Sequence, residues 1–264
     1  MSKRIYKTFS DKKKKLVTFV TGGDPSQNIS EKILKSIIKS GADLIEIGMP
    51  FSDPMADGPT IQLSSKRAIN EGINLENIFN ICINIRKINN EIPIILMGYY
   101  NVIHSYGIKN FTNKCVSSGI DGLIIVDLQP EEDSELYESV KLHDIDLIRL
   151  ITPTTTKERL KIISETASGF LYYVTITGIT GQKSADIKEL KKSIRIIRNY
   201  SSLPIVAGFG INSKEQVLEI CKTADGVVVG SSIVKIIQDK LEDEKDMLDS
   251  ISKFVKKIKS GTIL

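Results

Sequence analysis

Leu44-Ile-Glu-Ile-Gly-Met-Pro-Phe-Ser-Asp-Pro-Met-Ala-Asp-Gly-Pro59 runs from a short apolar strand into a loop stiffened by Gly48, Pro50, Pro54, Gly58 and Pro59. Glu46 stands between Ile45 and Ile47, and Asp53 and Asp57 follow on the loop. A carboxylate inside an apolar strand is costly unless it has a partner or a task. A short strand that is apolar on both faces reads as a parallel strand covered by helices, not as the edge of an antiparallel sheet.

The same strand-and-turn unit recurs along the chain. Apolar, β-branched runs fall at 16–20, 44–47, 93–97, 122–126, 147–151, 171–174, 204–207 and 226–229, at intervals of roughly 20 to 50 residues. Between them the apolar residues shift to helical spacing. Ile33, Leu34, Ile37 and Ile38 set a helix over 30–40 that stops at Gly41, and Ile78, Phe79, Cys82, Ile85 and Ile88 stripe a helix over 75–88. Further helices are predicted over 61–71, 108–118, 187–199, 213–222 and 247–257, with others opened by Pro130-Glu-Glu-Asp133, Thr156 and Ser231. Gly98-Tyr-Tyr-Asn101 reads as an exit loop. About eight such units close a (β/α)8 TIM barrel. The competing architecture is an open doubly wound sheet, which loses support because no Gly-x-Gly-x-x-Gly follows the first strand. The chain is read as α/β, a single (β/α)8 barrel domain over 1–264, with 1–15 a short N-terminal leader or helix.

Composition narrows the function classes. A net charge of +4 is mild, and with only 6% aromatic residues there is no dense basic and aromatic patch for nucleic acid. No apolar run approaches the roughly 18 residues of a membrane span, and no apolar segment near the start reads as a secretory signal. Cys82, Cys115 and Cys221 are odd in number and far apart, the pattern of a reduced compartment. No cluster with metal-ligand spacing is visible, and His104 and His143 stand alone.

Two constellations carry chemistry. Glu46 falls at the carboxyl end of the second strand, where this architecture places catalytic groups. Apolar neighbours should raise its pKa toward neutrality, which suits a proton donor and acceptor. The alternative is a Glu paired with a Lys or Arg in the barrel, weakened because strands one to four contain neither. Asp53 and Asp57 are either functional acids or turn-formers. The second constellation is glycine-rich: Gly178-Ile-Thr-Gly181 after strand six, Gly208-Phe209-Gly210 after strand seven and Gly230-Ser231-Ser232 after strand eight. Glycines let backbone N–H groups approach an anion, and a helix starting at Ser231 adds its partial positive charge, so a phosphate ligand is expected. Tyr172 and Tyr173 alternate, so one should face the barrel interior and the other the helices.

These residues resemble the tryptophan synthase α subunit family. The resemblance rests on Phe19-Val-Thr-Gly-Gly-Asp-Pro25, on the opening stretch extended through Thr-Ile-Gln62, and on Thr177-Gly-Ile-Thr-Gly181, Gly208-Phe-Gly-Ile211 and Gly230-Ser-Ser-Ile-Val-Lys235, and it spans essentially the whole chain. It implies a carbon–carbon lyase that cleaves indole-3-glycerol phosphate to indole and glyceraldehyde 3-phosphate by a retro-aldol step, late in L-tryptophan biosynthesis. It implies catalytic roles for Glu46, Asp57 and Tyr172. Phe209, Thr180, Gly181, Gly210, Gly230 and Ser231 become substrate-binding residues. It further implies no cofactor in this chain, a β-subunit partner carrying pyridoxal phosphate in an α2β2 assembly, and a cytoplasmic location (plastid stroma for an organelle-encoded gene). Competing readings are an epimerase or isomerase of sugar phosphates, whose metal ligands or strand Lys and His are missing, and a phosphate-binding barrel that only activates a partner.

Overall fold

The computed structural model describes residues 2–174, 183–208 and 210–263. Its strands are β1 (Lys15–Thr21), β2 (Leu44–Gly48), β3 (Ile94–Gly98), β4 (Gly122–Ile125), β5 (Asp146–Leu147), β6 (Arg149–Ile151), β7 (Leu171–Val174), β8 (Ile205–Gly208) and β9 (Gly226–Val229). They alternate with helices α1 (Lys3–Phe9), α2 (Gln27–Lys39), α3 (Pro59–Asn70), α4 (Leu75–Ile88), α5 (Tyr100–Tyr106), α6 (Ile108–Ser117), α7 (Ser134–Lys141), α8 (Lys157–Thr166), α9 (Lys183–Ile197), α10 (Lys214–Cys221), α11 (Ser231–Asp239) and α12 (Glu244–Lys259). All strand pairs are parallel, in the order β5-β4-β3-β2-β1-β9-β8-β7-β6. β5 and β6 are two halves of one strand interrupted at Ile148: β5 pairs with β4, and β6 with β7. Joined there, the ring has eight positions, the (β/α)8 barrel expected from the spacing of the strands.

Side-chain alternation along each strand builds two cores. Ile45 and Ile47 of β2 point outward into the layer shared with Ile33, Ile37, Ile78 and Ile81 of the helices. Leu44 points inward, with Val17, Ile95, Ile124, Ile148, Phe170, Val206 and Val228 from the other wall positions. Glu46 is two residues beyond Leu44 and is therefore forced inward, one layer nearer the carboxyl ends of the strands. The lower end of the barrel is closed by α1. Its Ile5 is fully buried in the inner cluster, and Phe9 lies against Phe170 with ring centroids 5.7 Å apart. Residues 1–15 thus contain a plugging helix.

One device repeats at that lower end. Asp43, Asp121 and Asp225 each precede a strand. Each donates its N–H to the carbonyl of a residue opening the neighbouring strand, Leu16, Ile94 and Ile205, at 2.8–2.9 Å. Each carboxylate then accepts the same residue's N–H at 2.7, 2.9 and 2.8 Å. A basic side chain neutralises each acid: Lys259, Arg86 and Arg198 respectively. Helices start where capping residues occur. Asn74 and Ser213 form reciprocal capping boxes with Asn77 and Gln216.

Several sequence expectations shift. The helix expected from Pro130 begins at Ser134; Asp133, just before it, makes no side-chain capping bond and pairs with the buried Arg149 of β6. Gly98–Asn101 is not all loop, since α5 starts at Tyr100. Strand β1 starts at Lys15, so one lysine does lie in the early strands; it is buried at the end away from Glu46 and paired with Asp11. Among the described residues no helix is long and apolar enough to cross a membrane.

Candidate active site

Glu46 has 0% exposure, and neither carboxylate oxygen has a hydrogen-bond partner among the described residues. Among the described residues, the barrel ion pair left open by the sequence is therefore not made. Burial in this apolar wall pushes its pKa up to about 8. Tyr172, on β7, lines the same cavity as Glu46. Its phenol is raised well above the ordinary range, first by burial and then by the Glu46 charge nearby. Tyr173 faces the other way, fully buried among the helices, with its hydroxyl donating to Ser193 Oγ of α9 at 3.0 Å. The inward tyrosine is thus Tyr172. It lies directly on β8: a Cβ added at Gly208 would come within 2.7 Å of its ring and hydroxyl.

Asp57 reaches the cavity from the loop between β2 and α3. Burial raises its pKa, and a hydrogen bond from the Tyr99 hydroxyl to Oδ2, 3.0 Å long, works against that rise. The loop around it is pinned by its own bonds. Asp57 N–H donates to Pro54 O at 3.0 Å, and Gln62 Nε2 donates to Asp57 O at 2.9 Å. Helix α3, which continues this loop, is tied to the loop after β1 by a bidentate pair from Arg67 to the buried Asp24, 2.8 Å at each oxygen. Asp53 is exposed, accepts from Ser52 Oγ, and does not line the cavity, so it separates from Asp57.

From the loops after β8 and β9, Gly210, Gly230, Ser231 and Ser232 form a glycine–serine wall of the same cavity. Gly210 has φ +57, a left-handed conformation that suits glycine. Gly230 is the N-cap of α11 and packs against Phe19, where a Cβ would stand 3.1 Å from that side chain. The Gly230 carbonyl takes the N–H groups of Ile233 and Val234 at 2.8 and 3.1 Å. The first N–H groups of a helix have no partner within it and face forward with its positive end, an arrangement that receives anions. Ser232 Oγ donates to Ile211 O at 2.7 Å and fastens this turn to the loop after β8.

One open cavity of about 180 Å³ gathers these groups: Glu46, Asp57, Tyr172 and the glycine–serine wall line it together with Phe19, Ile61, Met97 and Val228. Gly210, Gly230 and Ser231 lie where the sequence placed them; Thr180, Gly181 and Phe209 lie outside the described residues. The sequence reading missed Tyr99, whose available signal was an aromatic residue directly after Gly98 at the site-bearing end of β3, and Ser232 as a tie between loops. A buried acid with its pKa raised to about 8, a second carboxylate and a glycine–serine helix start of the kind that receives anions, all on one cavity of mixed polar and apolar lining, suit proton transfer on a substrate that carries an anionic group.

A statistical model of the tryptophan synthase alpha chain family matches residues 6–263. The chain belongs to the tryptophan synthase alpha chain family. It is 44% identical over 262 residues to the tryptophan synthase alpha chain of Geotalea uraniireducens (strain Rf4), covering 98% of this chain and 97% of that one. Its fold matches tryptophan synthase subunit alpha from Legionella pneumophila str. Paris with TM-score 0.91 and 36% identity, covering 99% and 98% of the two chains. It also matches a chain in a tryptophan synthase complex from Pyrococcus furiosus, with TM-score 0.84 and 34% identity over 94% and 98%. The tryptophan synthase alpha chain family cleaves indole-3-glycerol phosphate to indole and glyceraldehyde 3-phosphate, and the chain is a lyase of tryptophan biosynthesis.

Proposed function

We propose that Glu46 carries both proton transfers of this retro-aldol cleavage, that Asp57 receives the indole N–H, and that the glycine–serine wall holds the phosphate. The observation that carries the proposal is the state of Glu46: wholly buried, without a hydrogen-bond partner among the described residues, and lining the same cavity as Asp57 and the glycine–serine wall. With its pKa raised to about 8, Glu46 is protonated at neutral pH and starts as the acid. It gives its proton to C3 of the indole ring. The carboxylate so formed removes the proton of the hydroxyl on the adjoining side-chain carbon as the C–C bond breaks. The bonding electron pair returns to the ring, and the acid is regenerated. Positive charge develops on the ring nitrogen when C3 is protonated, and the Asp57 carboxylate offsets it while accepting the N–H. Tyr172 offers an O–H donor beside Glu46. Phosphate bound at Gly210, Gly230 and Ser231, with Gly181, Thr180 and Phe209 assigned by the family resemblance, orients the scissile bond from a distance.

The test is indole release from indole-3-glycerol phosphate, read beside binding. Glu46→Gln should abolish turnover while substrate still binds in calorimetry, and near-normal turnover would remove Glu46 from the chemistry. Asp57→Asn should slow release about 100-fold, the scale for losing a group that acts only in the transition state. Substrate binding without any indole release by the unaltered protein, even with a β subunit present, would favour the non-catalytic reading.

We propose further that a β subunit covers the mouth of the barrel. The Pyrococcus furiosus neighbour is part of a tryptophan synthase complex. On this chain Met55 is 86% exposed in the loop beside Asp57, and Leu63 of the adjoining α3 is also exposed. In this reading the assembly is α2β2, pyridoxal phosphate belongs to the β partner, and the steps above use only side chains of this chain. The three cysteines are free and buried, in keeping with a reducing cytoplasm.

A further inference from the structure

Tyr99 sits between β3 and α5 with 3% exposure, its ring against Phe51 at a centroid distance of 5.1 Å. Its hydroxyl makes two bonds into the neighbouring loop. It accepts the Ala56 N–H at 3.0 Å and donates to Asp57 Oδ2 at 3.0 Å. One oxygen therefore fixes the main chain of one residue and the carboxylate of the next. The tyrosine itself is held from its other side, because the N–H of Tyr100 donates to Asp127 Oδ1 at 2.8 Å, just beyond β4. The ends of β2, β3 and β4 are thereby strung together through this dipeptide. A phenol has a single hydrogen, and here it is committed to Asp57, leaving none to offer a substrate. Tyr99 is also absent from the cavity lining, whereas Asp57 is part of it.

We infer that Tyr99 is a positioning residue for the cleavage: its hydroxyl orients the Asp57 carboxylate toward the indole N–H and keeps the loop that bears it in register with the barrel. The inference rests on the assignment of Asp57 to that N–H. Half-buried carboxylates swing unless something holds them, and a hydrogen bond to a charged acceptor is stronger than one between neutral groups. The donor also counters the effect of burial on Asp57, favouring the ionised form that the indole nitrogen needs.

Tyr99→Phe deletes the hydroxyl and keeps the ring on Phe51. With the full chain, kcat and KM for indole release are measured for Tyr99→Phe, Asp57→Asn and the double variant, with thermal midpoints alongside. The expected result for Tyr99→Phe is a loss of about tenfold in kcat with KM changed much less, and a midpoint within a few degrees of the parent. In the double variant the second change should add nothing to Asp57→Asn, because the hydroxyl acts through that carboxylate. Wild-type turnover in Tyr99→Phe beside a slow Asp57→Asn overturns the role of Tyr99 and leaves that of Asp57 standing. Losses that multiply in the double variant, or a loss confined to KM, also overturn it. Wild-type turnover in Asp57→Asn overturns the assignment of Asp57 and this inference with it.

Discussion

Glu46 is an acid kept where water does not solvate it and where, among the described residues, no cation answers it. That state costs stability in a pH-dependent way. In the unfolded chain the group ionises near 4.5, and in the fold near 8. Between those values the unfolded state has lost a proton that the folded state retains, so the fold weakens as pH rises through the window. The cost is absent well below pH 4.5 and reaches on the order of 5 kcal/mol above pH 8. Glu46→Gln removes the ionisation. Its thermal midpoint relative to the parent should therefore be several degrees higher at pH 8 than at pH 5, while its indole release is lost. A difference independent of pH, measured by scanning calorimetry, would mean that Glu46 is already ionised in the fold. Asp57 shows the opposite management of the same problem: burial raises it, and a specific donor, Tyr99, pulls against the rise.

At the scale of elements, β7 and β8 illustrate how backbone room becomes site geometry. Tyr172 and Gly208 sit on adjacent parallel strands, and Tyr172 leans over the position where Gly208 has no side chain. Gly208→Ala would place a methyl 2.7 Å from the tyrosine ring, closer than carbon atoms come, so the ring must move. The displaced phenol no longer stands beside Glu46. We expect kcat for indole release to fall at least about tenfold while the midpoint drops by no more than about 3 kcal/mol equivalent. Steady-state assay and urea unfolding on the same preparation check both halves, and unaltered kcat would show that Tyr172 tolerates the shift. Helix α11 makes a related point. Its N-terminus is useful because Gly230 leaves space at the barrel rim and Ser232 ties the turn to Ile211.

For the molecule as a whole, the two ends of the barrel have separate tasks. The carboxyl ends carry the cavity. The amino ends carry the plug of α1 and the aspartate locks of Asp43, Asp121 and Asp225. Ile5→Ala should therefore cost about 2–5 kcal/mol of folding stability, the range for a buried aliphatic truncation. Indole release at 25 °C should be unchanged, since the site lies beyond a packed layer of side chains. Chemical denaturation and the indole assay test this division, and a parallel loss of kcat would couple the plug to the site.

Much of this was legible in the chain alone. Eight apolar runs separated by helical stripes specify a covered parallel sheet, because only that arrangement buries both faces of every strand. Glu46 stood out as an acid between Ile45 and Ile47 at the carboxyl end of an apolar strand, and the glycines after the last strands led to the expectation of an anion ligand by the close backbone approach they allow. The short α5, the late start of α7 and the break at Ile148 were not legible; at the first two the structure adds contacts distant in sequence, Tyr100 with Asp127 and Asp133 with Arg149. The same holds within the site. Whether Glu46 met a cation, which of two adjacent tyrosines faced it, and that Tyr99 holds Asp57 were all decided by closure of the barrel. Local spacing sets the face on which a side chain lies, but only the closed ring sets what stands opposite it.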